Sequence, residues 1–147
     1  MPLSQSCRKP AKILTPTTRP SAIADRAEVF AAIDDDNVCV VDTLMPEHYL
    51  GETVMYGRPG HIPGAINLCA LDLLDESGRF RPQDELAALH TGDRNAARTI
   101  TYCGGGIMAS CNAFVMARLG FTDVAVYTAS LQEWAADPTN PMVVEAS

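Results

Sequence analysis

Residues 98–120, RTITYCGGGIMASCNAFVMARLG, decide how the rest of the chain is arranged. The β-branched start at 99–102 predicts a short strand, and the residues from Ile107 onward predict a helix that ends at Gly120. Cys103 and a run of three glycines lie between the two. A thiol placed after a strand and before a glycine loop at a helix start is typical of a reactive cysteine that binds anions.

The glycine loop predicts a concave site for negative charge. Gly104, Gly105 and Gly106 lack a Cβ, so their consecutive N–H groups can turn toward one point. The helix expected from Ile107 adds unpaired N–H groups and the positive end of its dipole. These donors would stabilise a Cys103 thiolate, a persulfide or a bound oxyanion, so we expect nucleophilic sulfur chemistry. The alternative from these residues alone is a structural cysteine in a glycine turn that allows close strand–helix packing.

The flanking sequence predicts strands that alternate with helices. Segments 38–41 and 124–127 predict strands, and the first has the continuous apolar run of a strand buried on both faces. Further helices are expected after Asp25, after Pro82 and after Ser130, which would serve as an N-cap. One stripe of the central helix is expected to be buried: Ile107, Cys111, Phe114, Val115 and Leu119. This alternation indicates an α/β fold with a mostly parallel sheet.

Length and charge limit the functional classes. A chain of 147 residues with 47% hydrophobic residues is typical of one soluble globular domain. The formal net charge is −7 and no basic patch is dense, so nucleic-acid binding is disfavoured. No apolar run is long enough to span a bilayer, so no membrane partner is expected.

The cysteines and histidines argue against a metal site. The five cysteines are an odd number without the paired CxxC spacing of zinc ligands, and the three histidines are scattered. We therefore expect no metal and no cofactor. Cysteines in apolar segments fit a reducing compartment, which predicts a cytoplasmic location.

Six segments of the chain resemble those of the rhodanese-like sulfurtransferases. In chain order they are VCVVD ending at Asp42, PEHYLG from Pro46, GHIPGAINL from Gly60, YCGGG from Tyr102, RLGFTDVAVY from Arg118 and SLQEWAADP from Ser130. The chain is most similar to the catalytic half of the two-domain thiosulfate and 3-mercaptopyruvate sulfurtransferases. The resemblance implies a three-layer α/β domain with a five-stranded, mostly parallel sheet between helices.

The expected domain covers residues 21–141, with a tail on each side. Four prolines with several serines and threonines predict a flexible N-terminal tail at 1–20. Residues 142–147 are expected to form a C-terminal tail.

The resemblance also implies a two-step sulfur transfer. Cys103 would take a sulfane sulfur from a small donor of the thiosulfate or 3-mercaptopyruvate class and become a persulfide. It would then pass the sulfur to cyanide or a thiol, which includes the thiol of a protein. Cys103 would be the catalytic residue. The substrate-binding residues would be Gly104, Gly105, Gly106, Ile107, Met108, Ala109 and His48.

Several positions depart from the family pattern through loss of positive charge or hydrogen-bond donors. Leu44 and His48 stand where relatives carry arginines, and Gly105 and Met108 replace a serine and a threonine of the mercaptopyruvate-type loop. A protonated His48 would restore part of the charge. The alternative function is therefore a catalytically weak rhodanese-like binding or regulatory module. A phosphatase of this fold is disfavoured, because Ala109 stands where such enzymes need a phosphate-binding arginine.

Four other polar residues have competing interpretations. Asp42 is expected to organise its loop rather than to act as a base, and His61 is expected to bond the loop backbone. Cys69 is a candidate relay thiol, because it follows another strand on the same edge of the sheet as Cys103. Arg58 is a weaker candidate for anion binding.

Overall fold

A five-stranded sheet lies at the centre of the protein in a computed structural model that describes Ile13 and residues 15–90 and 96–145. Its strands are β1 (Ile23–Ala24), β2 (Val38–Asp42), β3 (Ile66–Asn67), β4 (Arg98–Tyr102) and β5 (Val124–Tyr127). The helices of the described residues are α1 (Arg26–Ala32), α2 (Pro46–Tyr49), α3 (Gln83–Leu89), α4 (Ile107–Arg118) and α5 (Ser130–Trp134). Short 3-10 turns cover Pro20–Ala22 and Ala70–Leu73.

The strands are parallel in every pairing, in the order β1-β5-β4-β2-β3. In the register between β2 and β4, Asp42 lies beside Tyr102, so the two strands end together. Because β4 is the central strand, the residue that follows it lies in the middle of the carboxyl edge. Ligands bind at this edge in open parallel sheets. The expected α/β fold with a parallel sheet is confirmed.

The sheet is buried on both faces. Val40 and Val41 are consecutive residues of β2 with side chains on opposite faces, and they pack into different apolar clusters. Val40 lies in the main cluster with Val29 of α1 and Trp134 of α5. Val41 packs with Met116 of α4. The helices thus form a layer on each side of the sheet, as expected.

Helix α1 begins as its sequence predicts. The carboxylate of Asp25 accepts a hydrogen bond from the N–H of Glu28 at 2.9 Å, which is the N-cap contact expected from their spacing. Val29 is fully buried against the sheet, whereas Phe30 lies half-exposed against Trp134.

The predicted buried stripe of α4 is only partly correct. Ile107 is 86% exposed and Phe114 is 52% exposed. Val115 of the predicted stripe is buried, and Cys111 and Leu119 pack partly buried against its cluster. The other buried residues, Ala109, Asn112 and Met116, lie outside the predicted stripe. Because apolar residues lie on several sides of the helix, their spacing does not identify which face is buried. The face that carries Ala109 and Asn112 is the one that contacts β4 and β5. Nδ2 of the buried Asn112 donates to the carbonyl of Leu68 at 3.0 Å, whereas its Oδ1 has no hydrogen-bond partner among the described residues.

The structure describes less of the N-terminal segment than of the C-terminal one. The predicted tail at 1–20 lies mostly outside the described residues. Directly after it, Ile23 and Ala24 form the edge strand β1 beside β5, which the sequence analysis missed. At the other end, Val143 and His61 exchange two backbone hydrogen bonds of 2.9 Å. The segment expected to be a C-terminal tail is therefore paired with the loop before β3 through Val143.

Among the residues that the structure describes, no helix has both the length and the apolar character that a bilayer span requires.

Candidate active site

Cys103 follows β4 directly and lies at the centre of the carboxyl edge of the sheet. Its side chain is only 2% exposed. The N–H of Gly106 donates to its Sγ at 3.0 Å. The first N–H groups of α4, which start at the next residue, have no acceptor within the helix, as at every helix start. The sulfur therefore accepts from one main-chain donor and lies near the start of α4, and both favour negative charge there.

The glycines of the loop are required for different reasons. Gly106 has a φ of +86°, and a Cβ there would lie 2.7 Å from the carbonyl oxygen of Thr128. A Cβ at Gly104 would lie 1.9 Å from Cζ of Tyr56. Gly105 is exposed, and the nearest atom to a Cβ there, in the Gln132 side chain, is 3.4 Å away. Only Gly104 and Gly106 are thus confined by their neighbours.

The start of α5 holds the loop carbonyls. The N–H groups of Leu131 and Gln132 donate to the carbonyl oxygens of Cys103 and Gly104, each at 3.0 Å. Carbonyls that point toward α5 leave the opposite side of the loop to its N–H groups. This orientation explains how the N–H of Gly106 comes to face the sulfur.

Residues 25–137 match the rhodanese-like domain family, which is well over half of the chain. This protein belongs to the rhodanese-like family. A curated relative from Pseudomonas aeruginosa, "Probable 3-mercaptopyruvate sulfurtransferase", is 32% identical over 127 residues, which cover 83% of this chain and 44% of the relative. "Putative thiosulfate sulfurtransferase 1" of Mycobacterium bovis is 36% identical over 124 residues, which cover 77% of this chain and 44% of the relative. The chain thus spans less than half the length of these relatives.

A solved structure shares the fold of this rhodanese-like domain. It is the anaerobic ergothioneine biosynthesis enzyme from Chlorobium limicola in complex with trimethyl histidine, with a TM-score of 0.80 and 22% sequence identity. The match covers 88% of this chain and 33% of that one. At this identity the likeness shows the fold alone.

Ser130 connects the loop of this rhodanese-like domain to β5. It is fully buried, and its hydroxyl accepts from the N–H of Cys103 at 3.0 Å and donates to the carbonyl of Tyr127 at 2.7 Å. The prediction that Ser130 caps α5 is wrong. Ala129 is the N-cap residue and Ser130 is the first residue of the helix, with its hydroxyl already engaged on both sides. Its φ of +53° is unusual for a residue with a Cβ and is a strained conformation.

Ser130→Ala is expected to lower the free energy of unfolding by about 1–3 kcal/mol, because the buried N–H of Cys103 loses its acceptor while the strain stays. Urea unfolding monitored by Trp134 fluorescence measures the loss. Ser130→Gly removes the same hydroxyl but tolerates a positive φ, so it should recover part of the stability. A Ser130→Ala protein as stable as the wild type would contradict this assignment.

Asp42 is the last residue of β2, lies beside the end of β4 and is completely buried. Its Oδ1 accepts from the N–H of Leu44 at 2.8 Å, which supports the expected role in organising the loop. Oδ2 has no partner of hydrogen-bonding geometry among the described residues, although the Tyr102 hydroxyl is near. Burial raises the pKa of Asp42, and the contacts with Tyr102 and Leu44 and the charge of His61 oppose the rise only in part.

The raised pKa of Asp42 predicts a pH dependence of stability. Between its ordinary pKa of 3.8 and the raised value, the folded protein binds more protons than the unfolded chain. This carboxyl therefore favours folding at low pH and loses that contribution as pH rises through the window. Asp42→Asn is expected to gain stability relative to the wild type on going from about pH 4 to neutrality, by about 1.4 kcal/mol per unit of raised pKa.

Urea unfolding of the wild type and Asp42→Asn at several pH values measures this difference. Other carboxyls, such as the exposed Asp75 with its lowered pKa, contribute equally to both proteins and cancel. An Asp42→Asn protein that does not gain stability relative to the wild type as pH rises would contradict the assignment.

The two histidines on this side of the site have different surroundings. His48 of α2 is half-buried, and its Nδ1 is buried without a hydrogen-bond partner among the described residues. Its positive charge, when present, acts on Asp42, and no hydrogen bond joins it to the loop of Cys103 within the described part of the chain. The ring of His61 stacks on Tyr49 at 3.7 Å, with Nδ1 2.8 Å from the Tyr49 carbonyl oxygen. This is the structural role expected for His61.

Two guanidinium nitrogens of Arg58 are engaged by main-chain carbonyls. They donate to the carbonyl oxygens of Pro138 and Asn140, at 3.3 and 2.6 Å. The residue therefore ties the loop before β3 to the segment after α5. This contact fixes the loop that carries Tyr56.

The remaining predicted substrate-binding residues lie at different depths. Ile107 is exposed at the start of α4, and Met108 is half-buried against the main apolar cluster. Ala109 is fully buried, and its carbonyl accepts from the Thr101 hydroxyl at 3.0 Å. The structure thus places Ile107 at the surface beside the loop and Ala109 beneath it.

Two other cysteines are in less reactive surroundings. Burial raises the pKa of Cys69, which begins the 3-10 turn after β3, and also that of Cys111, which packs against an apolar cluster below α4. A raised pKa lowers the thiolate fraction at neutral pH. This disfavours Cys69 as a relay thiol and agrees with the expected core position of Cys111.

Two residues at the loop escaped the sequence analysis. Tyr56 lies in an irregular segment without a motif, and Thr128 contributes only its backbone at the end of β5. Nothing in the order of residues shows that these groups approach Gly104 and Gly106. The run of glycines showed only that some close neighbours were to be expected.

Proposed function

We propose that this rhodanese-like domain is a sulfurtransferase that carries a sulfane sulfur as a persulfide on Cys103. The observation that carries the proposal is the N–H of Gly106 at 3.0 Å from Sγ, in a loop whose carbonyls are held by α5. Such a donor stabilises a thiolate before the transfer and the negative outer sulfur after it. The names of the two curated relatives support sulfur transfer as the reaction class.

In the first half-reaction the Cys103 thiolate attacks the outer sulfur of the donor. A new S–S bond forms at Sγ, and the bond between that sulfur and the rest of the donor breaks. With thiosulfate the leaving group is sulfite, which keeps the electron pair. With 3-mercaptopyruvate the C–S bond breaks, and the departing enolate takes the thiol proton to become pyruvate. No external oxidant or reductant is needed. The outer sulfur of thiosulfate is already at the sulfane level, and in 3-mercaptopyruvate the thiol sulfur is oxidised by two electrons while the carbon that it leaves is reduced to the methyl group of pyruvate.

In the second half-reaction an acceptor attacks the outer sulfur of the persulfide. Cyanide leaves as thiocyanate, and a thiolate, including one on a protein, leaves as a persulfide. The S–S bond breaks toward Sγ and returns the Cys103 thiolate to the Gly106 N–H. The main-chain donors are the same in both states, so the loop need not rearrange between the two steps.

His48 is a proposed donor contact that would act only in its protonated form. Its Nδ1 has no hydrogen-bond partner among the described residues but is buried, and the charge of its ring acts on the buried Asp42.

The intact mass of the purified protein, before and after treatment with thiosulfate or 3-mercaptopyruvate, tests the function. We expect the mass of one added sulfur atom, located on Cys103 by peptide mapping, and its removal by cyanide with release of thiocyanate. A protein that gains no sulfur from either donor would contradict the enzyme and favour a rhodanese-like binding or regulatory module.

A further inference from the structure

Tyr56 lies directly on the residue that follows the reactive cysteine. An ideal Cβ on Gly104 would lie 1.9 Å from Cζ, 2.1 Å from Oη and 2.4 Å from Cε1 of Tyr56. The phenol end of this side chain therefore occupies the space where any other residue at position 104 would place its side chain. Since Gly104 is covalently next to Cys103, the hydroxyl of Tyr56 belongs to the immediate surroundings of the cysteine loop.

The ring of Tyr56 is packed against its neighbours, but its hydroxyl has no hydrogen-bond partner among the described residues. The ring packs against the main apolar cluster, which also contains Cys103 and Tyr102. The loop around it is anchored, because Arg58 donates to the carbonyls of Pro138 and Asn140. Within the described part of the chain, Oη makes no hydrogen bond to another residue. A fixed hydroxyl with an unused proton is available to a ligand.

The side chains that lie against Gly104 and Gly105 are uncharged. Tyr56 meets Gly104 and Gln132 meets Gly105. Arg58, the nearest cation to Tyr56 along the chain, already uses two of its guanidinium nitrogens to bond the carbonyl oxygens of Pro138 and Asn140. An anionic sulfur donor at Cys103 would therefore meet a hydroxyl at Gly104 and an amide at Gly105.

We propose that the Tyr56 hydroxyl donates a hydrogen bond to the anionic head of the sulfur donor and is the residue that sets donor specificity. This inference rests on the proposed sulfur transfer at Cys103. One neutral hydroxyl compensates one negative charge far better than two, and the chain has a net charge of −7. The favoured donors carry a single charge, on a carboxylate or sulfonyl head, and dianionic heads are disfavoured by the cost of an uncompensated second charge.

Methanethiosulfonate and thiosulfate form a matched pair of probes for this proposal. Both hold a transferable sulfur on a sulfonyl group, and a methyl group in the first replaces a charged oxygen of the second. In both, the Cys103 thiolate bonds to the outer sulfur, and methanesulfinate or sulfite departs with the electron pair. We expect the wild type to have a higher kcat/KM with methanethiosulfonate. We expect Tyr56→Phe to raise KM for it about tenfold with kcat changed less than about twofold, which corresponds to about 1.4 kcal/mol.

Tyr49→Phe is the matched control for loss of a tyrosine hydroxyl. The Tyr49 hydroxyl donates to the carbonyl of Ala65 at 2.8 Å, so it serves the fold and not a ligand. This variant should lose some stability and keep the wild-type KM. An unchanged KM in Tyr56→Phe, or a wild type that prefers thiosulfate, would overturn the inference.

A second measurement decides the role of Tyr56 without turnover. Iodoacetate and iodoacetamide both alkylate a thiolate, but only iodoacetate carries a carboxylate. We expect Tyr56→Phe to lower the ratio of their rates at Cys103 about fivefold or more, with peptide mapping to exclude the other cysteines. An equal ratio in both proteins would overturn the inference. Failure of the wild type to form a persulfide would instead refute the proposed function, while the alkylation ratio would still test Tyr56.

Discussion

Cys103→Ala is expected to abolish both the added sulfur and the release of thiocyanate. The substitution removes the only atom in this loop that can bond the transferred sulfur, and it leaves the N–H of Gly106 without its sulfur acceptor. The loss should be complete within the limits of a cyanide-capture assay, because no main-chain group can replace a nucleophile. Measurements with thiosulfate, 3-mercaptopyruvate and methanethiosulfonate cover donors of both charges.

Cys111→Ala is the matched control for this loss. It removes a thiol from the same helix-and-loop unit, but Cys111 packs against an apolar cluster on the far side of α4. We expect its turnover to stay within about twofold of the wild type, with a small loss of stability from the removed sulfur. Turnover that survives in Cys103→Ala would contradict the persulfide mechanism, provided that Trp134 fluorescence shows a folded protein.

Gly106→Ala is expected to lower the rate of persulfide formation about 100-fold. An alanine at this position would have an unfavourable positive φ, and its Cβ would lie 2.7 Å from the Thr128 carbonyl oxygen. The backbone of β5 cannot move easily, because its neighbours β1 and β4 are paired with it on both sides. The loop must therefore shift, and its shift takes the N–H of Gly106 away from the sulfur.

Gly105→Ala separates this effect from a general loss of loop flexibility. Gly105 is exposed, and its nearest neighbour is the end of the Gln132 side chain at 3.4 Å, which can move aside. We expect its rate to fall less than about threefold. Rates measured by stopped-flow mixing with donor, together with thermal unfolding of each variant, compare the two. Equal rates in Gly105→Ala and Gly106→Ala would show that the Gly106 N–H is not required.

In the loop after Cys103, several separate contacts combine to orient one hydrogen-bond donor, the N–H of Gly106. Two carbonyls are bonded by α5, the N–H of Cys103 is bonded by Ser130, and Tyr56 covers Gly104. Each contact leaves fewer conformations for the residues between Cys103 and α4. A donor that is already oriented needs no reorganisation when charge develops on the sulfur, which is the main advantage of such an arrangement in catalysis.

Local features of the sequence predicted much of the frame. The β-branched and apolar runs became β2, β4 and β5, and Asp25 became the N-cap of α1. The segment that contains Cys103 became a strand, a loop and a helix in the expected order. These features depend on propensities, caps and patterns within one segment, and such interactions are visible in the order of residues.

Contacts between distant segments were not predicted, because they depend on which surfaces meet. The exposure of Ile107 followed from the face of α4 that packs on β4 and β5. Ser130 was expected to cap its own helix, but β4 and β5 bring the N–H of Cys103 and the carbonyl of Tyr127 to its hydroxyl. A hydroxyl with several possible hydrogen-bond partners bonds the groups that the fold brings close to it. A short sequence motif does not show which groups these are.

The segment of residues 98–120 by itself determined that a cysteine follows a strand and that glycines precede the following helix. Strand propensity, the absence of side chains at three positions and the apolar helix are local properties. Only the tertiary structure decided which of the glycines are indispensable. Thr128 lies against Gly106 and Tyr56 against Gly104 because β5 and the loop before β3 meet at the same edge of the sheet. Steric exclusion between segments far apart in the chain is the physical reason, and it exists only once the sheet has formed.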